Sequence, residues 1–395
     1  MIYLLLQHLA LNTAVKVPTV FLYSSTRMIL AAMTTLLFTI FLGPRCISKL
    51  YALKTGQSIR VEDCPMLAEL HQKKKETPTM GGILILVSML IALFLWMDLK
   101  SSFTLILLIA TVWLGILGGI DDYLKMKYKN SKGLASRKKF ALQLVFAALL
   151  GLYLLWPSFS EMIHIGDWFA PPHMKMGGVV YKAQAAYGKY FFPFKKGALF
   201  TLSGIGLIGA FILSIIVVTG SSNAVNLTDG LDGLASGCIL MAAAVFALFA
   251  FLSNNVEMAR YLNIPYIEGC SEIAIYLCAM AGACLGFLWY NGHPAQVFMG
   301  DTGSLALGGI LGTAAVLMRR EFLLALVGGV FVLEAISVIL QVLSYRYRNK
   351  KRIFRCAPLH HHFEFKGWLE PKVVVRFWIV GLILALIGLA SIKFQ

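Results

Sequence analysis

Charge is what this chain has least of. Of its 395 residues only 14% are charged and 58% are hydrophobic, with a mean hydropathy of +0.76, whereas soluble domains carry about a quarter charged residues. That shortage excludes a water-soluble fold and implies an all-α polytopic membrane protein whose helices pack in lipid. Acids are scarcer than bases: 19 Asp+Glu stand against 35 Lys+Arg, a net charge of +16. In a soluble protein that excess suggests nucleic acid. Here the basic residues flank membrane spans and meet anionic lipid, and no basic run has the aromatic spacing that base stacking needs. No nucleic-acid partner is expected. The seven cysteines lack the paired spacing of a zinc site and do not read as a disulfide framework. The apolar start, Met1 to Thr13, has neither a basic opening nor a small-residue cleavage site, so a retained interfacial helix is expected there and not a signal peptide. No internal repeat or low-complexity tract divides the chain. One integral membrane domain over residues 1–395 is expected.

What the chain does have is long apolar runs. A helix needs about 20 apolar residues to cross the hydrocarbon layer. About ten runs qualify, at 20–43, 80–97, 103–120, 140–157, 199–219, 233–252, 272–290, 304–319, 322–345 and 374–394. The loops after the first, third and ninth runs hold seven, seven and eight of the 35 Lys+Arg. Such loops stay on the cytoplasmic side, which predicts both termini outside and every odd-numbered run ending inside. The segment 157–198 then falls outside. Its Pro171-Pro172, Gly177-Gly178 and alternating Val179–Tyr181 suggest a short surface hairpin.

The acids that remain recur in short polar motifs after runs 3, 5 and 7, all on the predicted inner face. Asp121 and Asp122 are neighbours at a helix end, so their side chains face different ways. One can approach a metal or a substrate proton while the other anchors a base; a helix cap paired with Lys125 explains the same pair. Asn223, Asn226, Asp229 and Asp232 recur every third residue, which on a helix or tight turn lines them along one stripe. Gly220, Gly230 and Gly233 permit close backbone approach. Such a stripe suits a base, a ribose or hydrated Mg²⁺, and a polar turn with Asx caps is the plainer account. Asp301, with Thr302, Gly303 and Ser304, precedes run 8, where free N–H groups attract anions and an Asp is often only a cap. Asn291, upstream, is a candidate for the same site.

His360, His361 and His362 are adjacent, so their rings point apart and cannot easily share one tetrahedral zinc; one or two can bind phosphate or donate a proton. Lys73 to Lys75 precede Thr79, a candidate cap for run 2, and Gly81-Gly82. The lysines suit a diphosphate or a positive-inside anchor. Glu334 and Gln341 stand seven apart on run 9 and share a face. An acid within a span faces the bundle interior or a hydrated groove.

Together these motifs resemble the phospho-N-acetylmuramoyl-pentapeptide transferases, a branch of the polyprenyl-phosphate sugar-phosphate transferases. The matching segments are Thr77 to Gly82, Gly119 to Asp122, Arg137 to Phe140, Asn223 to Ala235, Asn291 to Gly309, Glu334 to Gln341 and Pro358 to Glu364. The resemblance covers the chain from about residue 20 to its end. It implies ten membrane helices, a cytoplasmic active-site cleft in the bacterial inner membrane, Mg²⁺ dependence and often a homodimer. The implied substrates are UDP-N-acetylmuramoyl-pentapeptide and undecaprenyl phosphate, and the products are undecaprenyl-diphospho-N-acetylmuramoyl-pentapeptide and UMP. By motif position, Asp121, Asp122 and Asp301 match essential acids, with Asp301 the Mg²⁺ ligand. Asn223, Asn226, Asp229, Asp232, Asn291 and His360 match other active-site positions, with His361 and His362 in the same motif. Lys74, Thr79, Phe298 and Gln341 match positions near the nucleotide. The segment 157–198 is longer than the family pattern, and nothing about its shape carries over.

The implied reaction exchanges one phosphoanhydride for another, so positioning and charge neutralisation must supply the catalysis. Lys138, Lys139 or the Lys73–Lys75 run is expected to add positive charge. Asp121 is the expected proton acceptor and Asp122 the orienting group, with the reverse assignment open. The faces of runs 5 and 9 are expected to hold the prenyl tail. Transfer of a different sugar phosphate keeps the same fold. A transporter predicts repeats and ionisable groups near the midplane, and only Glu334 lies deep in a run.

Overall fold

Lipid offers the backbone no hydrogen-bond partner, so apolar runs close into helices. The computed structural model describes residues 2–12, 18–53, 77–128, 133–164, 168–176, 179–181 and 183–393. Among them, ten apolar helices follow the expected spans: α1 (Ser24–Ala52), α2 (Gly82–Trp96), α3 (Ser102–Lys127), α4 (Ser136–Leu155), α5 (Gly206–Thr228), α6 (Leu234–Ser253), α7 (Ser271–Asn291), α8 (Gly300–Met318), α9 (Gly329–Tyr347) and α10 (Glu370–Ala390). Nine are long and apolar enough to cross a membrane. The exception, α2, has 15 residues and spans only about 22 Å. The apolar start forms a helix, Ile2–Asn12. The expected span 322–345 is two helices, Glu321–Val327 and α9, parted at Gly328.

Helix ends depart from the hydropathy boundaries where polar residues bond one another. α3 continues past 120 to Lys127, α5 continues past 219 to Thr228, and α8 starts at Gly300 instead of 304. Before α2, residues 78–82 run alongside 298–299. Phe298 N donates to the Pro78 carbonyl, and Gly81 N and Gly82 N donate to the Phe298 and Met299 carbonyls, each at 2.8 Å. Extended backbone at this depth is thereby satisfied by protein. Thr79 does not cap α2; Gly81 holds the N-cap position and no side chain caps it.

The core is built around α8, nearly all of which is buried between neighbours including α3 and α5. Gly308 and Gly312 sit one turn apart against the α5 backbone at Ser221 and Val218. Small residues at that spacing let two helices approach closely in lipid, which sets the start of α8 beside the end of α5. At the opposite end of the bundle lie β1 (Met174–Met176), β2 (Val179–Tyr181), β3 (Lys189–Phe191), β4 (Ala198–Thr201) and β5 (Tyr266–Ile267). β1 pairs antiparallel with both β2 and β5, and β3 pairs antiparallel with β4. The hairpin expected around 179–181 is therefore present. Two buried ion pairs brace that end: Arg27–Glu272 at 2.9 Å and Arg319–Glu321 at 2.5 Å.

Candidate active site

Three carboxylates meet where α3 ends and α8 begins. Gly118 makes this possible, because it lies directly against the Asp301 carbonyl and any side chain there would collide with backbone. One helical turn later, Asp121 and Asp122 are both buried. Their side chains diverge, as expected for neighbours on a helix. Asp122 faces α8: Oδ1 accepts from Asp301 N at 3.1 Å, and Oδ2 accepts from Thr302 N at 2.9 Å and Thr302 Oγ1 at 2.7 Å. It thus satisfies free N–H groups of a helix other than its own.

Asp121 faces the basic side of the site. Its Oδ1 accepts from Leu134 N at 2.8 Å, and its Oδ2 lies 2.6 Å from Lys125 Nζ and 3.4 Å from Lys139 Nζ. The same two ammoniums reach Asp301 Oδ2, at 3.0 Å and 2.7 Å. The other Asp301 oxygen accepts from Asn226 Nδ2 at 2.8 Å. Lys125 and Lys139 therefore occupy the space between the carboxylates. Of the two adjacent lysines expected to add positive charge, Lys139 is therefore in the cluster and Lys138 is exposed one position away.

The expected four-residue stripe is broken by the end of α5. Asn226 is on the helix and reaches Asp301 and Ser304 Oγ. Asn223, one turn earlier, donates to Gln143 Oε1 at 2.7 Å and to the Thr219 carbonyl. Asp229 is the residue after the helix. Burial first, then the nearby Asp301 and Asp122 carboxylates, push its carboxyl up to about 8. Asp232 turns away into a second cluster: its Oδ2 accepts from Ala295 N at 3.1 Å and lies 3.0 Å from His293 Nδ1, and its N–H donates to Glu370 at 2.9 Å. Asn291 belongs to this side and does not join Asp301. It accepts from Gly233 N and Ser236 Oγ and donates to the Val297 carbonyl, so it fixes the loops around the site.

The histidines separate as their spacing predicts. His360 is fully buried, with Nδ1 3.2 Å from Glu334 Oε2 and its ring against Gly230, next to Asp229. His361 pairs with Glu364 at 2.6 Å, and His362 Nδ1 accepts from Arg355 N at 3.1 Å. Glu334 and Gln341 do share a face, because both grip the same return segment. Gln341 accepts from Ile353 N and Phe354 N and donates to the Phe354 carbonyl. Phe298 is half-buried in the strand-like segment beside Pro78, and Thr79 abuts Gly300 and hence the start of α8. Lys74, with Lys73 and Lys75, lies outside the described residues.

The donor set suits a hard cation. Oxygens of Asp121, Asp122 and Asp301 lie within 4.8 Å of one another, and carboxylate oxygens are the ligands that hard divalent cations take. The carboxylates of Asp121, Asp122 and Asp301 outnumber the two ammoniums of Lys125 and Lys139, which leaves an excess of negative charge for a cation to offset. His293 lies inside the matching segment Asn291 to Gly309 but was not itself named from the sequence, and Glu370 stands outside every motif. Lys125 was visible as the residue one turn after Asp121.

Similarity to known proteins is of one kind. A family model described as glycosyl transferase family 4 matches residues 104–319, and a phospho-N-acetylmuramoyl-pentapeptide-transferase signature matches residues 74–86. The chain is 61% identical to a phospho-N-acetylmuramoyl-pentapeptide-transferase of Protochlamydia amoebophila, over 96% of each chain. It is 46% identical to that of Desulfotalea psychrophila, over 98% of each, and 47% identical to that of Thermodesulfovibrio yellowstonii, over 95% of each.

Proposed function

Since the chain belongs to the phospho-N-acetylmuramoyl-pentapeptide-transferase family, we propose that the carboxylate–lysine cluster between α3 and α8 is its active site. The enzyme transfers phospho-N-acetylmuramoyl-pentapeptide from its UDP conjugate to undecaprenyl phosphate and releases UMP. A lipid phosphate oxygen forms a bond to the sugar-side phosphorus, the anhydride bond to UMP breaks, and the UMP phosphate carries away the electron pair. The carrying observation is the sharing of two ammoniums among Asp121 and Asp301. Lys125 and Lys139 are already placed where phosphate oxygens would arrive, and Asp121 can take a proton from the lipid phosphate as an ammonium turns toward substrate. Asp122 is a positioning residue, holding the first turn of α8 and so the Asp301 carboxylate.

Asp301, with Asp121 and Asp122 in reach, would hold Mg²⁺, which neutralises charge on the diphosphate when bound. Asn226 fixes Asp301, and Asp229, His360 and the Asp232–His293 side form the rest of the cleft. Asn223, Asn291, Phe298, Gln341, Thr79, His361, His362, Lys138 and Lys74 are assigned around the nucleotide and sugar in the same reading. Adjoining α5 and α9 present exposed isoleucines and leucines to lipid, and the prenyl tail is assigned there. The cleft faces the cytoplasm of the bacterial inner membrane, the termini lie outside, and two copies associate as a homodimer. Cluster residues drawn from α3, α4, α5 and α8 make this one domain.

The deciding experiment is UMP release by detergent-solubilised protein with undecaprenyl phosphate and a panel of UDP-sugars. Release should require Mg²⁺ and the muramoyl-pentapeptide conjugate, and Asp301→Asn should lower it about 100- to 1,000-fold, the usual cost of removing one charge-stabilising group. Wild-type release by Asp301→Asn would remove the site assignment.

A further inference from the structure

The proposed chemistry makes no use of the segment between α4 and α5, yet this segment is firmly built. β3 and β4 are fastened to the bundle, where Arg319 Nε donates to the Lys189 carbonyl at 3.1 Å and Tyr190 Oη donates to the Ala210 carbonyl at 3.3 Å, and the hairpin is closed at its base by Leu202 N donating to the Gly188 carbonyl at 2.8 Å. The hairpin therefore holds a fixed attitude to the helix ends. Its outward face is apolar. Phe192, Phe194 and Phe200 are all exposed, and Phe192 and Phe200 touch through Phe322, with ring centroids 5.4 Å and 6.3 Å apart. Lys195 and Lys196 are exposed at the turn.

A water-facing position would leave the exposed part of each ring in water. Their neighbour in the chain says what covers them. Ile205, 88% exposed, ends the hairpin segment and opens a stripe that continues down α5 as Ile208, Ile212 and Ile216, all exposed. That spacing is one helical face, and on a spanning helix an exposed isoleucine face meets acyl chains. The hairpin patch thus continues a lipid-facing surface past the end of the helix. Phenylalanine rings entering the acyl boundary with lysines just beyond them form the amphipathic arrangement of interfacial segments.

We propose that the β3–β4 hairpin is seated in the bilayer surface at the end opposite the catalytic cluster, with Phe192, Phe194 and Phe200 at the hydrocarbon boundary and Lys195 and Lys196 on anionic headgroup phosphates. The test uses the full chain in nanodiscs of mixed phosphatidylglycerol and phosphatidylcholine. Phe194→Trp adds an emission that is measured as the difference from the parent protein. Bromine atoms placed shallow on the acyl chains should quench most of that added emission, and iodide in the water should quench little. Quenching by iodide alone would overturn the proposal, and so would protection from both quenchers, which would mean that a second copy covers the patch. Lys195→Glu with Lys196→Glu should lower the ratio of phosphatidylglycerol to phosphatidylcholine retained on purification, by about fivefold per lysine. An unchanged ratio would overturn the headgroup contact. UMP release measured in parallel reports that each variant is folded.

Discussion

Two neighbouring aspartates divide one task between them. Asp122 spends both oxygens on the backbone and hydroxyl of the α8 start, whereas Asp121 spends its own on two lysines and a loop N–H. The sequence made the divergence legible, since adjacent residues on a helix point about 100° apart, but not which direction led to α8. Choosing Lys139 over Lys138 was beyond it for a similar reason: neighbours in one basic run are chemically alike, and only the facing of α4 separates them. Asp229 carries a consequence that can be measured. An unfolded aspartate titrates near 4, and this one is pushed up to about 8 in the fold. The folded state therefore favours its protonated form. That contribution is whole below about pH 4 and is lost as pH rises toward about 8. The melting midpoint of the Mg²⁺-free protein should fall across that interval, Asp229→Asn should flatten the fall, and excess Mg²⁺ should recover part of it at the alkaline end. Equal slopes for Asp229→Asn and the parent would rule this account out.

Among elements, the spans were legible because lipid imposes their length and composition. Their ends were not, because hydropathy cannot see that Asp121, Asp122 and Lys125 satisfy one another within the last turns of α3, or that Asp301 lies inside the first turn of α8. The break at Gly328 was hidden for the opposite reason: the sequence is apolar on both sides of it. Helix contacts made by glycine decide how close the acids come. At Gly118 a methyl group would meet the Asp301 carbonyl, which is backbone and cannot swing away, whereas at Gly220 on α5 it would meet nothing within 4 Å. Gly118→Ala should therefore push α8 from α3, destabilise the protein by about 1–3 kcal/mol and depress UMP release by a larger factor than its stability loss explains. Gly220→Ala should keep both. Thermal melts and initial rates on the two variants provide the check, and equal behaviour would show that the α3–α8 contact does not set the site.

For the whole molecule, the question is which end faces which solution. Exposed bases around the ends of α3 and α9 and the start of α4 lie at the carboxylate end: Lys127 ends α3, Arg137 and Lys138 open α4, and Arg346, Arg348, Lys350 and Lys351 lie at or just beyond the end of α9. At the other end, Arg27, Arg319 and Arg320 are buried against acids or rings, Lys175 pairs with Glu268, and Lys195 and Lys196 are the exposed bases of the hairpin. Basic loops resist translocation, so the proposed orientation puts the carboxylate end in the cytoplasm, where a soluble UDP conjugate is met. The lipid phosphate sits at headgroup level and cannot travel far into water, so only a cleft at that interface meets both substrates. A cysteine placed at exposed Met162, beyond α4, should react with an impermeant maleimide in intact spheroplasts. One placed at Asn349, beyond α9, should react only after the membrane is opened, with the parent protein's own labelling subtracted. Labelling of Asn349→Cys from outside would put the acids on the wrong side of the membrane from their nucleotide substrate, and the catalytic assignment would fall with the orientation.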